Sequence, residues 1–139
     1  MEQLKSSNIE LYDLAVPVVD SLKQGLRVKN IDRKIMLYFR PGVQPYMISW
    51  LKYDPRIEIK KLKIPVLLVQ GTTDIQVSVR DAKNLSQALP AAKLLIMEKM
   101  NHALKTFEGD RKANEASYHE PMRPLAAGLA EAIVKFISS

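Results

Sequence analysis

Two short apolar runs, Val66 to Val69 and Leu94 to Met97, organise the chain. Each is too short for a helix, and Gly71 closes the first, so each predicts a strand, the first of them buried on both faces. Between them Ser78 and Asp81 form a Ser-x-x-Asp capping box, and Ala82, Leu85 and Leu89 repeat at helical spacing until Pro90 ends the run. Strand, helix and strand in so few residues make a βαβ unit. Its right-handed crossover sets the strands parallel and brings their carboxyl ends to one edge. The fold class this predicts is α/β.

The first part of the chain is helical in pattern. Ile9, Tyr12, Val16, Val19 and Leu22 lie three and four apart between Asn8 and Leu26, with Pro17 either kinking one helix or opening a second, and Gly25 ending it. Asp32 is placed to cap a short helix through Ile35, Met36, Leu37 and Phe39, which Pro41-Gly42 terminates. A third helix starts at Pro45 and carries Tyr46, Met47, Ile48, Trp50 and Leu51 as far as Asp54-Pro55. Arg56 to Lys63 reads as a connector, and Glu108 to Glu115, polar and containing a glycine, as an exposed loop. Pro121 and Pro124 introduce a closing helix. Leu125, Leu129, Ala132, Ile133, Phe136 and Ile137 give that helix one apolar face, expected to pack on the sheet.

Candidate chemistry sits at the strand ends. Asp74 follows Gly71 by three residues and His102 follows the second run, so parallel strands deliver both to the edge where open α/β sheets bind ligands. A carboxylate there can hold an imidazole in one tautomer and steady its protonated form, while the ring takes a proton from a nucleophile. Asp81 is accounted for by the capping box, Asp54 as a helix stop before proline, and His119 as a surface or capping residue before the last helix. Two histidines and no cysteine give no zinc-ligand spacing, and Gly71 stands without a Gly-x-Gly-x-x-Gly or a Walker lysine. No metal and no nucleotide cofactor is expected.

Pro65 to Gly71 followed by Thr72-Thr73-Asp74, then Met100-Asn101-His102, resembles the C-terminal part of an α/β-hydrolase, with the acid preceding the histidine as in that family's order of serine, acid and histidine. Phe39-Arg40-Pro41-Gly42-Val43-Gln44-Pro45-Tyr46 and Trp50-Leu51-Lys52-Tyr53-Asp54-Pro55 are similar to the approach to this unit in bacterial esterase-like hydrolases of the serine aminopeptidase type. The resemblance implies a truncated α/β-hydrolase fold of a single domain, 1–139. Residues 1–55 would be cap-like helices, and 56–139 the βαβ unit and closing helix. It implies Asp74 as acid and His102 as general base, acting on a small-molecule ester or, in the aminopeptidase type, a peptide. None of the serines lies in a Gly-x-Ser-x-Gly, so the nucleophile is expected outside this sequence and the chain alone is expected to be inactive, the alternative being a non-catalytic fragment that acts by association.

Length and composition fit that picture: 139 residues, 47% hydrophobic and 26% charged, suit one globular domain. The net charge is +6, and two basic clusters contribute to it, Arg27, Lys29, Arg33, Lys34 and Lys60, Lys61, Lys63. Neither has interleaved aromatics for base stacking, so both read as solvated surface and no nucleic-acid partner is expected. The polar opening from Glu2 to Ser7, the lack of a long apolar stretch and the absence of cysteine predict no leader, no membrane span and a cytoplasmic location. A strand without its upstream neighbour is open to pairing, which predicts a homodimer.

Overall fold

The computed structural model describes residue 5 and residues 8–139, so most of the polar opening on which the expectation of no leader rests lies outside the described residues. The chain forms two compact units, Met1–Asp54 and Pro55–Ser139. Among the described residues no helix is long and apolar enough to cross a membrane.

In the first unit helix α1, Ile9–Lys23, begins where the Asn8 side chain accepts the Leu11 N–H at 3.0 Å. It runs through Pro17 as one helix, and Gly25 follows it at a φ of 78°. Its buried face is Ala15, Val18, Val19 and Leu22 with Leu11 alongside, while Ile9 is exposed. The expected stripe was therefore rotated, because Leu11, Ala15, Val18 and Leu22 form an equally periodic apolar set. Helices α2, Met36–Phe39, and α3, Gln44–Leu51, complete the cluster with Ile31, Ile35 and Phe39. Asp32 does not cap α2. Its carboxylate accepts the Lys34 N–H in a turn, and Ile35 holds the cap position without a side-chain bond. Buried Gln44 ties the unit together by accepting the Val28 N–H and donating to the carbonyls of Val28 and Phe39.

The second unit starts with α4, Pro55–Glu58, and a 3-10 turn, Ile59–Lys61, where a connector was expected. Proline suits a first helical turn, and Ile59 has a buried place to occupy. Strand β1, Leu67–Gly71, helix α5, Val79–Ala88, and strand β2, Lys93–Met97, follow. The strands pair in parallel from Leu67 with Lys93 to Gly71 with Met97, so both carboxyl ends reach one edge. The capping box forms as anticipated: Ser78 Oγ accepts the Asp81 N–H and Asp81 Oδ2 accepts the Ser78 N–H. Leu67 to Val69 are half-buried rather than buried on both faces, because the sheet has only two strands among the described residues.

Two later expectations change. Residues 111–117 form helix α6, Arg111–Ser117, where a loop was expected through Glu115, because Asp110 caps it by accepting the Ala113 N–H at 2.8 Å. The closing helix α7 spans Leu129–Ile137 and starts after Gly128 at a φ of 80°, later than the prolines suggested. Leu125 lies outside it, in a bridge with Lys105. Leu129 packs with Ala126 and Met100 against Val69 and Met97, whereas Val134 and Ile137 are exposed. Phe136, two turns on from Leu129, is half-buried with the Lys93 ammonium of β2 5.4 Å from its ring centroid, so α7 follows the sheet past its first turn.

The strand ends are held at backbone contact. A β-carbon on Gly71 would lie 1.9 Å from the Met100 carbonyl oxygen. That carbonyl also accepts the Thr73 N–H at 3.2 Å. Replacing Gly71 by alanine therefore forces the two segments apart. Gly71→Ala is expected to lower stability by on the order of 3 kcal/mol in chemical denaturation. Gly42→Ala, with open space around the new carbon, stays within about 0.5 kcal/mol of the parent.

Candidate active site

Asp74 leaves β1 in a tight turn that it builds itself, with Oδ1 accepting the N–H groups of Gln76 at 2.8 Å and Val77 at 2.9 Å. Its Oδ2 lies 3.0 Å from His102 Nδ1 and accepts from Gln70 Nε2 at 3.2 Å. Gln70 is 6% exposed and also donates to the carbonyls of Gly71 and Val77, so it stands behind the carboxylate as a fixed donor. Burial alone would raise the Asp74 carboxyl. The hydrogen bonds from Val77, His102, Gln76 and Gln70 outweigh it and hold the group below its ordinary value.

An ionised carboxylate only accepts, so His102 donates its Nδ1–H and the lone pair falls on Nε2. The two side chains are set differently in the surface: that of Asp74 is 8% exposed and that of His102 is 41% exposed. The carboxylate is enclosed and the imidazole is presented. Tyr118 flanks the imidazole with ring centroids 6.3 Å apart, and burial, helped by the charge of Asp74, pushes its phenol upward. Thr73 Oγ1 is buried without a hydrogen-bond partner among the described residues.

The histidine loop is built on Asn101, which is 1% exposed. Its Oδ1 accepts the N–H groups of Ala103 at 3.0 Å and Lys105 at 3.1 Å, and its Nδ2 donates to Asn114 Oδ1 and Ser117 Oγ on α6. Asn114 in turn donates to the Thr73 carbonyl at 2.7 Å. Leu104 sits in the loop at a φ of 61° and Lys99 precedes it at 59°, a region non-glycine residues seldom adopt.

The topology thus brings together the two residues singled out from the sequence, while Asp81 serves the helix cap and His119 is exposed. Gln70, Asn101, Asn114, Ser117 and Tyr118 were not anticipated. One signal for α6 was available: Asp110 followed by helix-forming Arg, Lys, Ala and Glu, with Asn114 and Ser117 one turn apart on one face. Among the described residues no group of three or more acidic or histidine side chains could hold a metal ion.

Residues 51–117 match the family described as TAP-like protein, an α/β-hydrolase family domain. The match is to an α/β-hydrolase family domain and covers this segment alone. Among curated proteins, none matches the chain. The matched segment contains both strands, α5, the Asp74–His102 pair and the whole of α6 with Asn114 and Ser117, and it ends just before Tyr118.

The lowered Asp74 carboxyl makes a signed prediction. A group depressed on folding contributes stability that is fully present above its unfolded value and is lost as pH falls through its folded one. Chemical denaturation of the chain is thus expected to show a loss of stability below about pH 4. In Asp74→Asn, which has no charge to lose, that part of the acid slope disappears.

Proposed function

We propose that Asp74 and His102 are the acid and general base of a serine hydrolase acting on carboxylic esters, with the nucleophilic serine supplied from outside these 139 residues. The observation that carries the reading is the 3.0 Å contact of Asp74 Oδ2 with His102 Nδ1 at the carboxyl ends of adjacent parallel strands, inside the matched segment. The serine Oγ–H gives its proton to Nε2 as Oγ bonds to the ester carbonyl carbon. Asp74 steadies the resulting imidazolium. The proton then passes to the departing alkoxide oxygen, and water repeats the sequence on the acyl-serine, yielding acid and alcohol. The same pair serves a peptide if the leaving group is an amine, which keeps a peptidase of the aminopeptidase type as the neighbouring reading.

The chain alone lacks the nucleophile and its oxyanion donors, so it is expected to hydrolyse activated esters no faster than His102→Ala. Fused behind an α/β-hydrolase N-terminal half carrying a Gly-x-Ser-x-Gly, it is expected to allow fluorophosphonate labelling of that serine, and His102→Ala abolishes the labelling. Losing such a group typically costs several orders of magnitude in rate. Labelling of a serine within 1–139, or labelling indifferent to His102, overturns the reading.

The sheet supports a second reading, association with another copy. Each strand has one edge without a ladder partner among the described residues, and two strands alone are marginally stable. A two-fold axis pairs identical edges, and the exposed Val134 and Ile137 add apolar area. Sedimentation at low micromolar concentration is expected to give about twice 15.8 kDa. A monomer ends this reading and leaves the first untouched.

A further inference from the structure

Asn101, Asn114 and Ser117 are 1%, 3% and 0% exposed, yet all three carry polar side chains. Asn101 makes the full four hydrogen bonds an amide can make. Asn114 accepts from Asn101 through Oδ1 and donates through Nδ2 to the Thr73 carbonyl. Ser117 accepts from Asn101 and donates to the Asn114 carbonyl at 2.7 Å. The line of bonds runs from the residue before Asp74, through α6, to the residue before His102.

We infer that this buried line positions the base against the acid: Asn101, Asn114 and Ser117 set the separation of His102 from Asp74, and they are positioning residues for the reaction proposed above, on which this inference rests. Stability alone does not call for such a network, because apolar groups of the same shape can replace paired polar ones at little cost. What apolar groups cannot do is fix direction. Asn101 Oδ1 takes the N–H groups on both sides of Leu104, and so holds the left-handed residue whose backbone carries the loop past His102. Asn114 then ties that loop to the Thr73 carbonyl. The His102 side chain is 41% exposed and has one hydrogen bond to the acid, too little to fix its loop unaided.

The test uses long-range proton–nitrogen spectra of His102 in the full chain, well above the ordinary histidine titration range, with thermal unfolding in parallel. The parent is expected to hold the Nδ1–H tautomer. Asn114→Ala, which removes both bonds of the line, and Ser117→Ala, which leaves the line but removes the second bond from the Asn101 amide to α6, are expected to move His102 toward the mixture seen in Asp74→Asn, while Ser117→Thr, which keeps the hydroxyl, returns it toward the parent. Phe107→Leu loosens the same unit without cutting any of these bonds, and it is expected to lower the melting temperature with the tautomer unchanged. If the folded alanine variants keep the parent tautomer while losing stability, the cluster is only packing and the inference falls alone. A parent without the Nδ1–H tautomer removes the Asp74–His102 pairing itself, and the proposed function falls with it. If one alanine variant does not fold, the other decides.

Discussion

The two chain segments leaving the sheet pass at backbone contact because position 71 has no side chain, with a β-carbon there falling 1.9 Å from the Met100 carbonyl oxygen. That contact sets the scale of the site. It lets the Met100 carbonyl accept the Thr73 N–H, and Thr72 Oγ1 accept the N–H of Lys99 from the other loop. The residues that follow, Asp74 and His102, are then close enough for a hydrogen bond. Parallel strands alone would bring the two ends to the same edge, but side by side rather than interlocked. The glycine turns a shared edge into a shared site.

Within that site the energetics are uneven by design of the surroundings. Enclosing a carboxylate is costly unless donors replace its water, and Asp74 has four: two from its own turn, one from Gln70 and one from His102. Three of the four belong to β1 or the turn after it. The acid is therefore ionised and oriented by its own segment, and only one donor comes from the second loop. The imidazole has no such support from its own segment beyond the loop it sits in, which is why the buried amide of Asn101 matters: its oxygen takes two N–H groups of that loop and its nitrogen ties the loop to α6.

Much of this was legible in the residues. The βαβ unit, the capping box at Ser78 and the convergence of the strand ends each follow from short-range pattern, since β-branched runs, a Ser-x-x-Asp box and a right-handed crossover are local or nearly universal rules. The parts that were missed depend on contacts distant in sequence. Nothing in Glu108 to Glu115 announces that Asn114 reaches the carbonyl of Thr73, 41 positions away. Its polar composition argued for solvent, and only the three-dimensional pairing with Asn101 makes burial affordable. The rotated face of α1 has a different cause, since a helix with Leu, Ala and Val on two adjoining stripes satisfies helical periodicity twice.

The unequal exposure of the pair also constrains where a reacting group can stand. With Asp74 enclosed and engaged on both oxygens, no substrate atom or nucleophile approaches the carboxylate directly. In the proposed reaction the proton therefore passes through the imidazole, and with Nδ1 committed to Asp74 it passes through Nε2. The Tyr118 ring stands beside the imidazole, 6.3 Å between centroids, and covers one side of it. An environment of this kind holds a charge on the acid constant while the charge on the base changes, which is the condition under which an aspartate–histidine pair lowers the cost of taking up a proton without giving one up itself.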